Sequence, residues 1–399
     1  MGLTKRALEI PPFIVMDVLE RAQELERQGR SIIHLEVGEP DFDTPACVKE
    51  AAVKALTDNR THYTHSLGLI ELRQAIAQHY HDRYGVEVNP GRILVTAGTS
   101  PAMLLMFGAL LEQGDEVIIS DPCYACYANF IEFLGGSPVR VPVSEDDAFQ
   151  YKPEEIARAM TGRTKAVMIN SPANPTGQLL GPERMAAVAA LARGAEGPPY
   201  VISDEIYHGL SYDDGQETSG EHSILEYTDD AFVLNGFSKL YAMTGWRLGY
   251  LIVPARYARP LQKMHQNFAI CAPSLAQWAG IAALKQAHGD VERMRERYDA
   301  RRKRLVEGLR ELGLGIKVTP NGAFYVLARA DHLDPDDYRL AFHILEEAGV
   351  AVTPGRDFGP GGHGFLRFSY ANNLANIEEA LSRLRGYLDR FHPGKRLAR

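Results

Sequence analysis

The sequence predicts an α/β fold: a large domain with a mostly parallel seven-stranded sheet covered by helices, plus a smaller α+β domain. Seven short runs rich in β-branched residues lie at Ile93–Ala97, Glu116–Ser120, Val139–Val143, Ala166–Asn170, Tyr200–Ser203, Phe232–Asn235 and Gly249–Val253. Most are apolar throughout, the pattern of strands covered on both faces. Stretches between them carry apolar residues at helical spacing, and this alternation is that of a parallel sheet between helices. The length of 399 residues suits two to three domains.

The first 45 residues read as a helix at Ile14–Gln28, a strand, and the turn Val37-Gly-Glu-Pro-Asp41. Residues 46–285 hold the sheet. Their helices include Pro101–Leu111 and Pro182–Arg193, opened by proline as first turns often are. From about Ala272 the character changes. A charge-rich helix at Val291–Glu311 precedes a strand at Gly322–Leu327, a helix at Pro335–Ala348, a strand at Gly364–Ser369 and a last helix at Leu374–Phe391. The expected division is 46–285 for the large domain, with 1–45 and 286–399 forming the small one.

Composition narrows the function. Hydrophobic residues are 45% and charged residues 24%, ordinary for a globular protein. The 43 basic residues stand against 51 acidic ones, a net charge of −8, so no nucleic acid or anionic membrane is expected as partner. Four cysteines are too few for a disulfide framework and suit a reducing compartment. The longest apolar stretch, Ala102–Leu111, is about half of the ~20 residues that span a bilayer. The start, Met1-Gly-Leu-Thr-Lys-Arg6, lacks a signal-peptide pattern. A soluble, cytoplasmic protein is the expectation.

Two motifs lead nowhere. Gly359-Pro-Gly361-Gly-His-Gly364 has dinucleotide-loop spacing but precedes a strand, so no helix start follows it to receive a pyrophosphate. Cys123-Tyr-Ala-Cys126 has zinc spacing without a second pair, so free thiols and no metal are expected.

Other features converge. Gly98-Thr-Ser100 follows one strand and opens a helix, which makes either an anion site or an ordinary cap. Asp204 ends a buried strand, where doubly wound folds keep their ligands; it either caps the next turn or holds a cationic nitrogen. Ser171-Pro-Ala-Asn-Pro-Thr-Gly177 is a rigid turn presenting Asn174. The richest stretch is Asn235-Gly-Phe-Ser-Lys239-Leu-Tyr-Ala-Met-Thr-Gly-Trp-Arg247-Leu-Gly249. Lysines are usually solvated. Lys239 is flanked by apolar residues and has Arg247 eight positions on, a cation that favours the neutral, nucleophilic amine.

The segment Gly236–Gly249 resembles the pyridoxal-phosphate attachment motif of class I/II aminotransferases, the fold type I superfamily. The likeness continues in order through Val37-Gly-Glu-Pro-Asp41, His62-Tyr-Thr64 with Gly68 and Leu72-Arg73, Asn174-Pro-Thr-Gly177, Ser203-Asp-Glu-Ile-Tyr207 and Leu366-Arg-Phe-Ser-Tyr370. The resemblance implies pyridoxal 5'-phosphate as cofactor and Lys239 as its internal Schiff-base lysine. It also implies Asp204 on the pyridine nitrogen, Asn174 and Tyr207 at the phenolic oxygen, and Tyr124 stacked on the ring. Thr99, Ser100, Ser238 and Arg247 would hold the phosphate. Tyr63 would reach the phosphate of a neighbouring subunit, in a homodimer with shared sites. Arg367 would clamp the substrate α-carboxylate bidentately, with the Gly38 backbone beside it.

The reaction implied moves an amino group from an L-amino acid to a 2-oxo acid, 2-oxoglutarate or pyruvate, by a ping-pong course. In it Asp204 keeps the ring nitrogen protonated and the freed Lys239 amine shuttles the proton. Three departures bear on the donor: Pro101 after the phosphate loop, apolar Pro12-Phe-Ile-Val15 where some aspartate aminotransferases place hydroxyls, and Ser100 where such an enzyme can carry lysine. They favour neutral or apolar amino acids, because a side-chain carboxylate buried without a partner is costly. The alternatives are an aspartate aminotransferase, or a β-lyase or decarboxylase on the same scaffold. A DNA-binding regulator and a catalytically dead binding protein are disfavoured: the likeness begins within the first 40 residues, and Lys239, Asp204 and Arg367 are all present.

Overall fold

The computed structural model describes residues 2–193, 199–212 and 220–390. In chain order its strands are β1 Ile33–His34, β2 Ile93–Thr96, β3 Glu116–Asp121, β4 Ser137–Pro142, β5 Thr164–Asn170, β6 Tyr200–Asp204, β7 Ala231–Gly236, β8 Gly249–Ile252, β9 Tyr325–Arg329, β10 Val350–Ala351, β11 Thr353–Pro354 and β12 Phe365–Ser369. The seven expected runs form one sheet in the order β2-β8-β7-β6-β5-β3-β4. Every pairing from β7 through β4 is parallel, and β8 alone runs antiparallel to both neighbours. Both faces are covered, which is why β6 and β7 read as unbroken apolar runs: Val201, Ile202, Phe232, Val233 and Leu234 are all buried.

Parallel register aligns the strand ends. Asn170 on β5 pairs with Asp204 on β6, which pairs with Leu234 on β7. Across the antiparallel strand, Gly249 faces both Gly236 and Thr96. The chain leaving β2, β5, β6 and β7 therefore emerges along one edge of the sheet. Gly249 is required there by space: a Cβ would lie 2.8 Å from the carbonyl carbon of Gly98 and 2.9 Å from the amide of Thr99.

A second sheet, β11-β12-β9, is antiparallel, and β1 pairs in parallel with β10. The N-terminal segment thus joins the C-terminal part. The strand expected at Gly322–Leu327 lies at Tyr325–Arg329 instead. Gly322 and Ala323 turn away to bond Ser211 and the Leu210 carbonyl, and Ala323 adopts φ 53°. The helix expected to start at Pro101 starts at Thr99. The last helix ends at Arg390; Phe391 lies outside the described residues. Cys123 and Cys126 are free thiols.

The helix Ile14–Arg27 begins without a side-chain cap of its own. The amides of Ile14 and Val15 donate instead to Asp357, 343 and 342 positions along the chain, at 2.9 and 3.3 Å. A borrowed cap of this kind is worth about 1 kcal/mol. Asp357→Ala is therefore expected to speed hydrogen exchange at the Ile14–Arg27 amides about fivefold; unchanged protection in that helix would rule out the borrowed cap.

Candidate active site

The sheet edge opens into a cavity of about 330 Å³. Every residue expected at the site lines it except Tyr63, which is 79% exposed and lies beside a separate cleft with His62 and Cys271. Its floor is Asp204, the last residue of β6, 3% exposed. Burial raises the Asp204 carboxyl to about 6, against the opposing pull of two donors. These are the Tyr127 hydroxyl on Oδ2 at 2.7 Å and the Ile206 amide on Oδ1 at 3.1 Å.

Lys239 follows β7 by three residues and donates its Nζ to the Gly38 carbonyl. Burial among the rings of Tyr207 and Phe324, each centred 5.9 Å away, depresses its pKa to about 8. The cations Arg367 and Arg247 lower it further, while Glu39 and Asp204 oppose. The neutral amine thus becomes the majority form above about pH 8.

One wall is an anion cradle. The helix Thr99–Leu110 starts at Gly98, whose φ of 99° a side chain would strain, and no side chain caps its free amides. A Cβ at Gly98 would lie 2.6 Å from Nη2 of Arg247, so the guanidinium lies against the helix start. Arg247 itself sits at φ 53°, braced by a bond from Nη1 to the Thr244 carbonyl at 2.9 Å. The hydroxyl-bearing Thr99, Ser100 and Ser238 border the same wall.

Across the cavity lies Arg367, 2% exposed. Its Nη1 donates to Asn174 Oδ1 at 2.9 Å, and its Nη2 to the Glu36 carbonyl and to Thr353 Oγ1 at 3.2 Å. Nε is buried with no hydrogen-bond partner among the described residues, a donor left for an anion. Asn174 is held in turn by Asn170, whose Oδ1 accepts the Asn174 amide at 2.8 Å. Tyr207 shares a 2.7 Å hydrogen bond with Tyr325. Phe13, Val15 and Met16 give the cavity its apolar side.

Several of these contacts escape a linear reading. Tyr127 carries a signal, since at three residues past Tyr124 it falls on the same side of a helical turn. Tyr325 and Thr353 carry none until the register of β9, β12 and β11 is known. Arg367 pairs with both Thr353 and Leu327, which leaves Tyr325 diagonal to it on one sheet face.

One cavity of this doubly wound α/β fold thus gathers a depressed lysine, a buried carboxylate, an uncapped helix start beside Arg247 and a buried arginine with an unpartnered Nε, a set suited to amino-group chemistry. The comparisons give the family. The chain belongs to the class I and II aminotransferases, whose family pattern matches residues 30–384. It is 41% identical over 392 residues to the aspartate/prephenate aminotransferase of Thermus thermophilus, covering 98% of this chain and 99% of the relative. It is 38% identical over 389 residues to the (5-formylfuran-3-yl)methyl phosphate transaminase of Methanocaldococcus jannaschii, covering 97% and 100%. A solved Thermus thermophilus aspartate aminotransferase superposes with a TM-score of 0.91 at 40% identity, covering 97% and 99%. This protein is a pyridoxal-phosphate-dependent aminotransferase.

The cavity suits that cofactor. The uncapped helix start with Arg247 fits a phosphate, the buried Asp204 a protonated ring nitrogen, and the depressed Lys239 amine an aldehyde. Tyr127→Phe removes the bond that keeps Asp204 ionised, so its pKa rises further. Cofactor affinity of the apoprotein is expected to fall about fivefold at pH 7, with the deficit shrinking towards pH 8.5. A deficit independent of pH would reject this role for Tyr127.

Proposed function

We propose that this aminotransferase takes neutral or apolar L-amino acids as donors. The observation that carries the reading is the distribution of charge in the cavity. Its lining cations are Lys239, Arg247 and Arg367, and its side towards residues 13–16 is Phe13, Val15 and Met16. Once Arg247 is committed to phosphate and Arg367 to the α-carboxylate, no lining cation among the described residues of one chain is left for a side-chain carboxylate. Burying that charge unpaired costs several kcal/mol.

The residues divide the work accordingly. Arg367, with its donors fixed by Asn174, Glu36 and Thr353, holds the α-carboxylate beside the Gly38 backbone. Thr99, Ser100, Ser238 and Arg247 would hold the phosphate, with Tyr124 at the cofactor ring and Asn174 and Tyr207 at its phenolic oxygen. Bound pyridoxal phosphate supplies the electron sink for the charge left on Cα when its proton departs. Asp204 keeps that sink effective by holding a proton at the ring nitrogen. Lys239 Nζ, the covalent anchor of the cofactor, accepts the Cα proton once substrate frees it and returns it elsewhere as general acid.

Tyr63 supports a homodimer with shared sites: it stands 79% exposed, away from its own chain's cavity. The division into 46–285 against 1–45 with 286–399 is supported by the β1–β10 pairing. Among the described residues no helix is long and apolar enough to cross a membrane, which agrees with a cytoplasmic enzyme.

An acidic donor is the second reading, favoured by the name of the Thermus thermophilus relative. A panel of amino acids with 2-oxoglutarate and pyruvate, followed by half-reaction spectra, separates the two: turnover of aspartate above that of leucine, valine and phenylalanine overturns the apolar assignment. Product formed without any 2-oxo acid identifies a β-lyase. Lys239→Ala is expected to lose turnover and borohydride-trapped cofactor together; normal activity in that variant refutes the anchor. Heterodimers of Tyr63→Ala and Lys239→Ala chains should regain part of the activity, and none would be regained if each subunit were self-contained.

A further inference from the structure

Tyr325 is the first residue of β9, 1% exposed, and lines the cavity without belonging to any motif of the sequence. Three contacts converge on it. The guanidinium of Arg367 lies 4.4 Å from its ring centroid, with Phe358 at 4.8 Å as a second aromatic neighbour. Its hydroxyl shares the 2.7 Å hydrogen bond with Tyr207. The same hydroxyl fills the space beside Gly38: a Cβ there would lie 1.8 Å from it.

These contacts do separate jobs. A guanidinium recognises a carboxylate through donors lying in one plane, so the plane must be held as well as the donors. Asn174, the Glu36 carbonyl and Thr353 take hydrogen bonds from Arg367, while the rings of Tyr325 and Phe358 supply cation–π contact. The hydroxyl works on the other partner, fixing the phenol of Tyr207.

We infer that Tyr325 is a positioning residue that couples the two halves of the reaction site. Its ring orients Arg367 for the amino-acid carboxylate, and its hydroxyl orients Tyr207 for the cofactor. The inference rests on the aminotransferase reading of the cavity and deepens it. It accounts for the glycine at position 38, because any side chain there displaces the coupling hydroxyl.

The two jobs are separable by substitution. Tyr325→Phe keeps the ring and removes the hydroxyl; Tyr325→Leu removes both. Calorimetric binding of 3-phenylpropanoate and of glutarate to the cofactor-loaded protein reads the clamp without turnover. Steady-state transamination with the best donor of the panel reads kcat and KM. Tyr325→Leu is expected to weaken carboxylate binding and raise KM about tenfold. Tyr325→Phe is expected to leave both within about twofold while kcat falls about fivefold. Carboxylate binding by Tyr325→Leu equal to wild type overturns the inference, as does an equal loss of binding in both variants. Failure of the aminotransferase reading is a different result: a wild-type protein that transfers no amino group from any amino acid of the panel.

Discussion

The site depends on a carboxylate kept where water does not reach. Asp204 closes a strand covered on both faces, and burial there works against its ionisation. Two donors, the Tyr127 hydroxyl and the Ile206 amide, offset that penalty. An anion held in this way is the counter-charge a protonated heterocycle needs. A solvated aspartate, screened and hydrated, would bind the same cation far more weakly. The sheet around it provides the dry floor, and parallel register brings Asn170 alongside it on β5 and the Lys239 loop just beyond β7.

The amine above that floor is governed by the same burial with the opposite sign. Removing water disfavours the charged form of both groups, which pushes the acid up and the lysine down until both titrate near neutrality. Arg367 and Arg247 add to the depression of Lys239, and on the proposed reading the same two charges serve a carboxylate and a phosphate at either end of the cavity. Two anion-binding devices therefore also prepare the nucleophile between them. The architecture needs no separate element to activate the lysine.

Distant segments meet at Arg367. Its partners come from Glu36 near the N-terminus, Asn174 after β5, and Thr353 on β11, with Tyr325 and Phe358 at its faces. Asp357, next to Phe358, caps the helix whose first turn supplies Val15 and Met16 to the apolar side of the cavity. Neighbouring residues of one turn thus support both Arg367 and the apolar wall at Val15 and Met16. On the proposed reading, side-chain preference and carboxylate binding share that mechanical support.

Much of this was legible in the linear chain. The inner strands read as apolar runs because both faces are covered; Lys239, Asp204 and Asn174 stood out because each follows or ends such a run, and Arg247 because it shares the short Lys239 loop between two runs. Boundaries moved where glycine or a left-handed residue redirected the backbone, as at Gly322 and Ala323. Tyr325 between Arg367 and Tyr207 and Asp357 beneath the first helix were not legible, and the spacing of Tyr127 from Tyr124 did not show its contact with Asp204. Those contacts join residues 42 to 343 positions apart, and no periodicity records which strand lies beside which. Residue types and their order along the chain determined the chemistry on offer: an amine, an acid, two guanidiniums and a helix start of small, hydroxyl-bearing residues. Only the folded arrangement decided their protonation and aim, because both depend on how much water is excluded and on which distant atoms fill the space.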